Sequence, residues 1–538
     1  MFNTVHGVKI ETSLTVKRSA LLLSALLFFC ISLSAQQPKP KGSQVKTGPG
    51  TKINLKHADR LIGDKSKGYQ RLLGAVQFEH EGMNMTCDSA HFFLELNRLD
   101  AYGHVFIQQG DSLRMWSDFL TYDGNTRIAV ASKNVRLIEG DMTLTCDAIT
   151  YDLANKFAYY TTGGKIVNKD NVLTSQNGGY SSESKTLTFK HNVVLKNPQY
   201  EMRCDTLRYT PGTRVAYFLG PTNIKSTTNT NFIYCENGFY DTNNDIAQFE
   251  ENAFIVTRNQ TLRGDSIWYD RKNGVGKAFK NIEIKDTTQK VTIHGDYAIH
   301  YENTETSLIT GNAMLIQEFD TDSLYMHADT LKSITIRKKD EKGNPIYEDS
   351  LTEKTVLGYH NVSFFKEDMQ GKCDSLAWSS ADSTMHMFGN PVLWSEASQL
   401  TATYIDLVIS NGDLIRLEMK DNCFIISQED SIRYNQIKGR KMTGYFADNI
   451  LRKIYVEGNG QTLYYARSEN KLIGINRADC SKLMIWINEE KVESISFYSQ
   501  PDAQLYPPGE LSPSEALLKD FEWRGKERPE KVEDLLLK

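Results

Sequence analysis

A small residue followed by Asp recurs every 28–33 residues over most of this chain, and that period restricts the fold more than any other feature. The pairs are Ala58-Asp59, Cys87-Asp88, Ser117-Asp118, Cys146-Asp147, Gln176-Asn177, Cys204-Asp205, Cys235-Glu236, Gly264-Asp265, Gly295-Asp296 and Ala328-Asp329. They resume after a gap at Cys373-Asp374 and Ala402-Thr403, then more loosely at Gly439-Arg440 and Ala478-Asp479. Ten of the 14 units keep the Asp. A unit of this size cannot close a core alone, so neighbours must stack and share one interior. The 538 residues therefore read as one array, although length alone would suggest several domains.

Each unit carries two strand signatures. Five residues after the small position an aromatic recurs, as at Phe92, Tyr122, Tyr151, Tyr209, Tyr240, Tyr269 and Trp378, with an apolar residue two places before it. This is the period-two pattern of a strand with one buried face. Usually sixteen to twenty residues after the small position comes Asn with an apolar residue, as at Asn134-Val135, Asn192-Val193 and Asn281-Ile282, and after the longer gap at Asn361-Val362. Turn residues such as Asp123-Gly-Asn125, Asp270 to Gly274 and Asn411-Gly-Asp413 join consecutive strands, which predicts antiparallel pairing. With 26 Tyr and 24 Phe against 13 Pro, the chain reads as all-β. Lys and Arg total 62 against 67 Asp and Glu, a net charge of −5, which argues against nucleic acid as a partner.

Lys17-Arg18 and the apolar run from Ser19 to Ala35 predict a signal peptide over 1–35, followed by a flexible Pro/Gly/Lys linker over 36–52. The repetitive domain is expected over 53–498, with a charged insertion at about 338–353. A tail over 499–538 starts a short helix with Ser512 as N-cap, Pro513 at the first position and Glu515 at the third.

Seven Cys follow the export segment, and five of them (Cys87, Cys146, Cys204, Cys235 and Cys373) hold the small position, where other units have Ala or Gly. Small size is their shared property. Adjacent units stand roughly 9–10 Å apart at about 4.8 Å per strand, beyond the roughly 7 Å limit for a bridge, so free thiols are expected. Cys423 and Cys480 have no assigned place. The repeated Asp residues (59, 88, 118, 147, 205, 265, 296, 329, 374 and 479) are expected to serve structure by accepting backbone N–H groups near turns. Their spacing does not match calcium repeats, the 11 His form no metal-ligand pair, and no nucleophile stands with a base, so no metal, cofactor or enzymatic activity is expected. The apolar set Val76, Val105, Leu120, Val135, Ile149, Ile166, Val193, Leu207, Ile267, Ile282, Leu331, Val362 and Leu376 forms either a closed core or the wall of an apolar trough suited to acyl chains.

These motifs resemble the OstA/LptA family of periplasmic lipopolysaccharide-transport proteins, most clearly at Leu144-Thr-Cys-Asp-Ala-Ile-Thr-Tyr-Asp152, Asn192-Val-Val-Leu195 and Met202-Arg-Cys-Asp-Thr-Leu-Arg-Tyr209. The resemblance implies an elongated antiparallel β-jelly-roll, or "β-taco", of two facing sheets in a V. Lipid A acyl chains would lie in its groove. It also implies edge-to-edge pairing with homologous modules of inner-membrane and outer-membrane components, in the periplasm or peripheral to the outer membrane. The expected function is thus a non-enzymatic lipopolysaccharide bridge or carrier. The alternative is a closed β-solenoid scaffold or adhesin with no lipid ligand.

Overall fold

The computed structural model describes residues 53–536, apart from 65–67, 81, 112, 258, 320–321, 339, 341–351, 411–412, 448–449, 469–470, 489–490 and 500. The expected export segment and linker lie outside the described residues, as does most of the charged insertion. The chain divides into two units: one takes the residues up to 258 together with 265–273, the other 259–264 and the residues from 274 on.

In the first unit, strands of 11 or 12 residues, including Tyr69–His80, Met83–Phe93, Arg98–Gln109, Leu113–Asp123, Ile128–Glu139 and Met142–Asp152, each pair antiparallel with the next. The tight turns use the Asp residues that sequence placed there. Asp123 Oδ1 accepts the N–H groups of Asn125 (2.8 Å) and Thr126 (3.0 Å), closing an Asx turn, and Arg127 then takes a positive φ of 62°. The same geometry recurs at Asp152 with Asn155 and at Asp241 with Asn243.

Every long strand pair also carries a bulge at the repeated motifs. Ser132 pairs with Ala148 and Val135 with Cys146, so that Lys133 and Asn134 stand opposite Asp147 alone. Both extra residues are left-handed, with φ of 65° and 53°. His191-Asn192, Glu251-Asn252, Lys280-Asn281, Gly311-Asn312, His360-Asn361 and Asp421-Asn422 repeat the left-handed pair. Asn tolerates this region better than other residues with a Cβ, which explains why the motif keeps it. Two residues opposite one bend the strand, and such bulges are how strands turn from one sheet into another. The bend is visible where the chain interrupts it. Met142–Asp152 pairs through its first half with Gly164–Asn168 and through its last residues with the separate strand Phe157–Tyr160. Thr186–Lys196 likewise divides between Asn171–Ser175 and Asn177–Ser181.

The second unit follows the same rules. Val275–Asp286, Val291–Tyr301, Thr306–Glu318, Ser323–Arg337, Thr352–Lys366 and Met369–Ser379 pair in sequence with one bulge each. Met369–Ser379 then pairs separately with Thr384–Phe388 and Val392–Ser395, and Asp413–Gln428 with Ser398–Thr401 and Tyr404–Ser410. Longer strands follow, up to Lys471–Asn488, whose two halves pair with Lys491–Tyr498 and Asp502–Tyr506. The described residues are thus all-β and antiparallel, with repeats of two strands.

The capping box of the tail forms: Ser512 N–H donates to Glu515 Oε2 (2.9 Å) and Glu515 N–H to Ser512 Oγ (3.4 Å). It caps a single turn rather than a continued α-helix. An isolated helix this short is marginal, and here Leu518, Phe521 and Trp523 pack instead against Phe424, Ile426 and Tyr465. Only the 3₁₀ turns Gly525–Glu527 and Val532–Leu536 follow. No helix among the described residues is long and apolar enough to cross a membrane.

Candidate functional site

The repeated motifs meet across the strands. The apolar residue after Asn is the register partner of the small residue: Val76 of Cys87, Val105 of Ser117, Val135 of Cys146 and Val193 of Cys204 in the first unit. In the second unit Ile282 faces Gly295, Ala313 faces Ala328 and Val362 faces Cys373. These pairs sit on the inner side of each bend, where space is least, and the small residue is what fits opposite a Val. Next to this line runs a second, made by the apolar residue three places further: Leu120 beside Ala101, Ile149 beside Ala131, Leu207 between Phe189 and Phe218, Leu331 beside Ile309, and Leu376 beside Met387. Ile166 lies between Leu144 and Leu173, and Ile267 is buried on Gln260–Asp270. All 13 candidate residues are at most 8% exposed. Buried parity switches at the bend, from Cys204 to Leu207 three places on, so both reach the inner side, and each buried Val, Leu or Ile contributes about 1.5–3 kcal/mol.

The outer side of the same bends belongs to the Asp residues. Asn134 Nδ2 donates to Asp118 Oδ2 (2.7 Å), Asn312 Nδ2 to Asp296 Oδ2 (3.1 Å) and Asn361 Nδ2 to Asp329 Oδ2 (2.9 Å). His104 replaces Asn and meets Asp88 (2.7 Å), whereas His191 and His360, the residues before Asn192 and Asn361, meet Asp205 (3.4 Å) and Asp374 (3.3 Å). Asp88 raises the His104 pKa above its usual 6.5 by hydrogen bonding and charge. Where Gly leads the bulge the contact is closer still: a Cβ on Gly103 would stand 2.4 Å from Asp88 Oδ2. The expected Asp partners were backbone N–H groups. These carboxylates instead hold side chains across the bend, because each left-handed pair turns its Asn or His toward the adjacent strand. Asp59 lies against Gly74, whereas Asp147 and Asp265 are placed at bends by register and chain position. Asp479 is two places from the expected site: Gly460 pairs with Cys480, and Asp479 accepts from Gln461 Nε2.

That shift gives the two unassigned cysteines their places. Cys480 holds the small position opposite Gly460, and Cys423 follows Asn422 and faces Gly439. All seven described thiols are therefore free and at bends. Burial pushes Cys87 and Cys146 up to about 11, and Cys204, Cys235, Cys373 and Cys423 up to about 12. Size is not their whole role. Cys87 Sγ donates to Ser89 O (3.4 Å), as the hydroxyls of Ser117 and Ser175 do to Phe119 O (3.2 Å) and Asn177 O (2.9 Å). Ser175, rather than Gln176, thus takes the small position in the fifth repeat. Nearby, Tyr160 is buried over Gly164 and Gly178, which leave room for its ring, and its hydroxyl meets Ser175 Oγ (2.7 Å).

The outward faces differ in kind. A recess of about 370 Å³ lined by Lys165, Val172, Thr174, Val194, Lys196 and Arg203 lies on the strand face opposite Ile166, Leu173, Leu195 and Met202. Glu201 pairs there with both Lys196 and Arg203, which removes much of its positive character.

A family model described as "OstA-like protein" matches residues 50–205 and 222–322. Over these stretches the chain is OstA-like. The OstA-like residues contain the bends from Gly74-Ala75 to Gly311-Asn312, and the bends beyond them repeat the same pairing rule. Among solved structures, the chain is similar to LptH, described as "the LptA homologous periplasmic component of the conserved lipopolysaccharide transport device from Pseudomonas aeruginosa". The identity is 13%, covering 20% of this chain and 81% of that one, with a TM-score of 0.19. No curated protein matches the chain.

Proposed function

We propose that this OstA-like chain is an exported, periplasmic, non-enzymatic carrier of lipopolysaccharide, whose inner face receives lipid A acyl chains. The observation that carries this reading is the apolar register along the bends within each unit, as where Val193 and Leu207 are both buried at the inner side of one bend. Such a surface takes hydrocarbon without selecting a headgroup, and the sugars would remain in water. The OstA-like match supports lipopolysaccharide as the lipid class. Export would use the N-terminal segment, and the terminal strands Asn54–His57, Arg60–Asp64, Lys491–Tyr498 and Asp502–Tyr506 would meet homologous modules of inner-membrane and outer-membrane components by strand pairing. Energy for movement would come from those partners.

One observation favours the closed scaffold instead: the 13 candidate residues are already buried without a ligand. The two readings part in a cross-linking experiment. A photoreactive side chain at Leu207 or Leu376 is expected to capture lipopolysaccharide in living cells, while one at the outward Arg114 does not. Equal or absent capture at all three sites would favour the scaffold.

A further inference from the structure

The C-terminal segment does not extend the strands. After Asp502–Tyr506 the chain turns at Pro507-Pro508-Gly509 and runs back over strands it has already formed, on the face opposite the bends' inner line. One repeat position meets it four times: the residue three before the small position, at Arg477, Gln436, Gln399 and Gln370. Arg477 Nη1 donates to Glu515 O (3.3 Å). Gln436 makes two bonds, with Nε2 donating to Ala516 O (2.9 Å) and Oε1 accepting from Leu518 N–H (2.8 Å). Gln399 repeats this pattern, with Nε2 donating to Glu522 O (2.8 Å) and Oε1 accepting from Arg524 N–H (2.6 Å). Gln370 Oε1 accepts from Arg528 Nε (2.7 Å), and at the far end Ser363 Oγ donates to Leu535 O (3.4 Å).

The two-bond pattern at Gln436 and Gln399 addresses residues i and i+2 of the segment, a carbonyl and the second N–H after it, once where the chain leaves the turn over 513–516 and once in the irregular stretch 521–524. Apolar anchors complete the site. Leu518 enters a cluster with Phe424, Ile426, Leu463, Tyr465 and Ile475, while Tyr434 stacks against Phe521 and Trp523 with ring centroids 5.3 Å away. In the first unit two of the corresponding outward residues, Asn84 and Arg114, are exposed to solvent, and Thr143, Glu201 and Phe232 are partly exposed. Gln399 and Gln436 are 0% and 1% exposed. A buried amide with both ends satisfied by one segment is built for that segment, since either end left unpaired away from water would be destabilising.

We propose that the outward face of the strands from Thr352–Lys366 to Lys471–Asn488 is a peptide-recognition site, distinct from the inner face, and that residues 510–536 of this chain are its resident ligand. The ligand class is a peptide of successive tight turns that presents apolar or aromatic residues at Leu518, Phe521 and Trp523 and is read by Gln399 and Gln436. The segment acts as a latch across successive strands of the second unit, joined in cis by the Pro507-Pro508-Gly509 turn.

The test uses the full chain with a protease site inserted after Gly509 and cut after folding. The freed segment is expected to stay with the body on gel filtration and to exchange with an added fluorescent peptide of residues 510–538. Replacing both glutamines (Gln399→Ala with Gln436→Ala) is expected to weaken retention at least tenfold. In the uncut chain, hydrogen exchange is expected to show slow amides at Leu518 and Arg524 that become fast in the double variant while strand amides stay slow. Loss of the wild-type segment on cutting, unchanged retention in the double variant, or fast exchange at both amides in the uncut wild type would each overturn the proposal. So would a dimer formed by the uncut chain and dispersed by the free peptide, which would place the latch in trans.

Discussion

Asn134 and Asp118 hold a bend between them: a left-handed Asn on one strand donates its amide, over 2.7 Å, to a carboxylate on the next. The same relationship joins Asn312 to Asp296 and Asn361 to Asp329. It ties the two most visible motifs of the sequence into one device that aims the apolar residue after each Asn at the inner side of its own bend.

Replacing Asn134 therefore has two separable costs. Asn134→Ala places a Cβ residue without a local hydrogen bond in the left-handed region and orphans Asp118, with an expected loss of about 1–2 kcal/mol. Asn134→Gly keeps the backbone conformation and loses only the hydrogen bond. Urea midpoints should rank wild type, Gly, then Ala; an Ala variant as stable as wild type would remove the bend from the account.

Gly103 and Gly110 provide an internal comparison, since both have positive φ but only Gly103 lies against a carboxylate. Ala at Gly110 meets nothing within 4 Å and carries only the backbone penalty, whereas Ala at Gly103 must also displace Asp88. Thermal unfolding is expected to be lower for Gly103→Ala by several degrees relative to Gly110→Ala. Equal midpoints would show that Asp88 is not packed there.

The buried thiols predict a loss of stability in alkali. A folded-state value of about 12 for Cys204 and Cys373, against about 8.5 in an unfolded chain, means that the unfolded state releases its protons first. Their contribution is whole below about pH 8.5 and falls as the pH rises toward 12, by up to about 1.4 kcal/mol per pH unit for each thiol. Denaturant titrations from pH 8 to 11 should show this slope, and Cys204→Ala should make it shallower; an unchanged slope would contradict the assignment. Native thiols should also resist alkylation at pH 8 until denaturant is added.

Leu207, between Phe189 and Phe218, separates packing from ligand capture. Leu207→Ala is expected to cost about 2–5 kcal/mol in stability. Leu207→Asp adds an unpaired charge and is expected to abolish lipid capture in whatever fraction remains folded, as judged by circular dichroism and lipid retention measured on the same sample. Full lipid retention by a folded Leu207→Asp chain would exclude this residue from the lipid surface.

The period, the strand type, antiparallel pairing and the inward face of Val193 or Leu376 were legible because strand alternation and turn chemistry are local. The bulge was only half legible. Asn announced it, but the partner of each Asn depends on which strand lies beside it, and so Asp118 was assigned to a turn. Registers slipped where a repeat broke its rule: Ser175 and Cys480 differ by one and two places from the expected small positions because Gln176-Asn177 and Ala478-Asp479 mimic the motif nearby. The tail was misread for another reason. Its capping box is real, but Leu518 and Trp523 find more apolar surface on strands about a hundred residues earlier than a lone helix would give them, and no local pattern encodes that.

The central claim is that the interior made by these bends receives lipid. Purifying the processed chain from its native envelope, extracting it and identifying the lipid by mass spectrometry, with an equally exported folded protein as control, tests this most directly. The account predicts lipopolysaccharide enriched selectively and near one molecule or more per chain. A chain that emerges empty and takes up no lipopolysaccharide when it is offered would contradict the carrier and leave a closed scaffold built from the same bends.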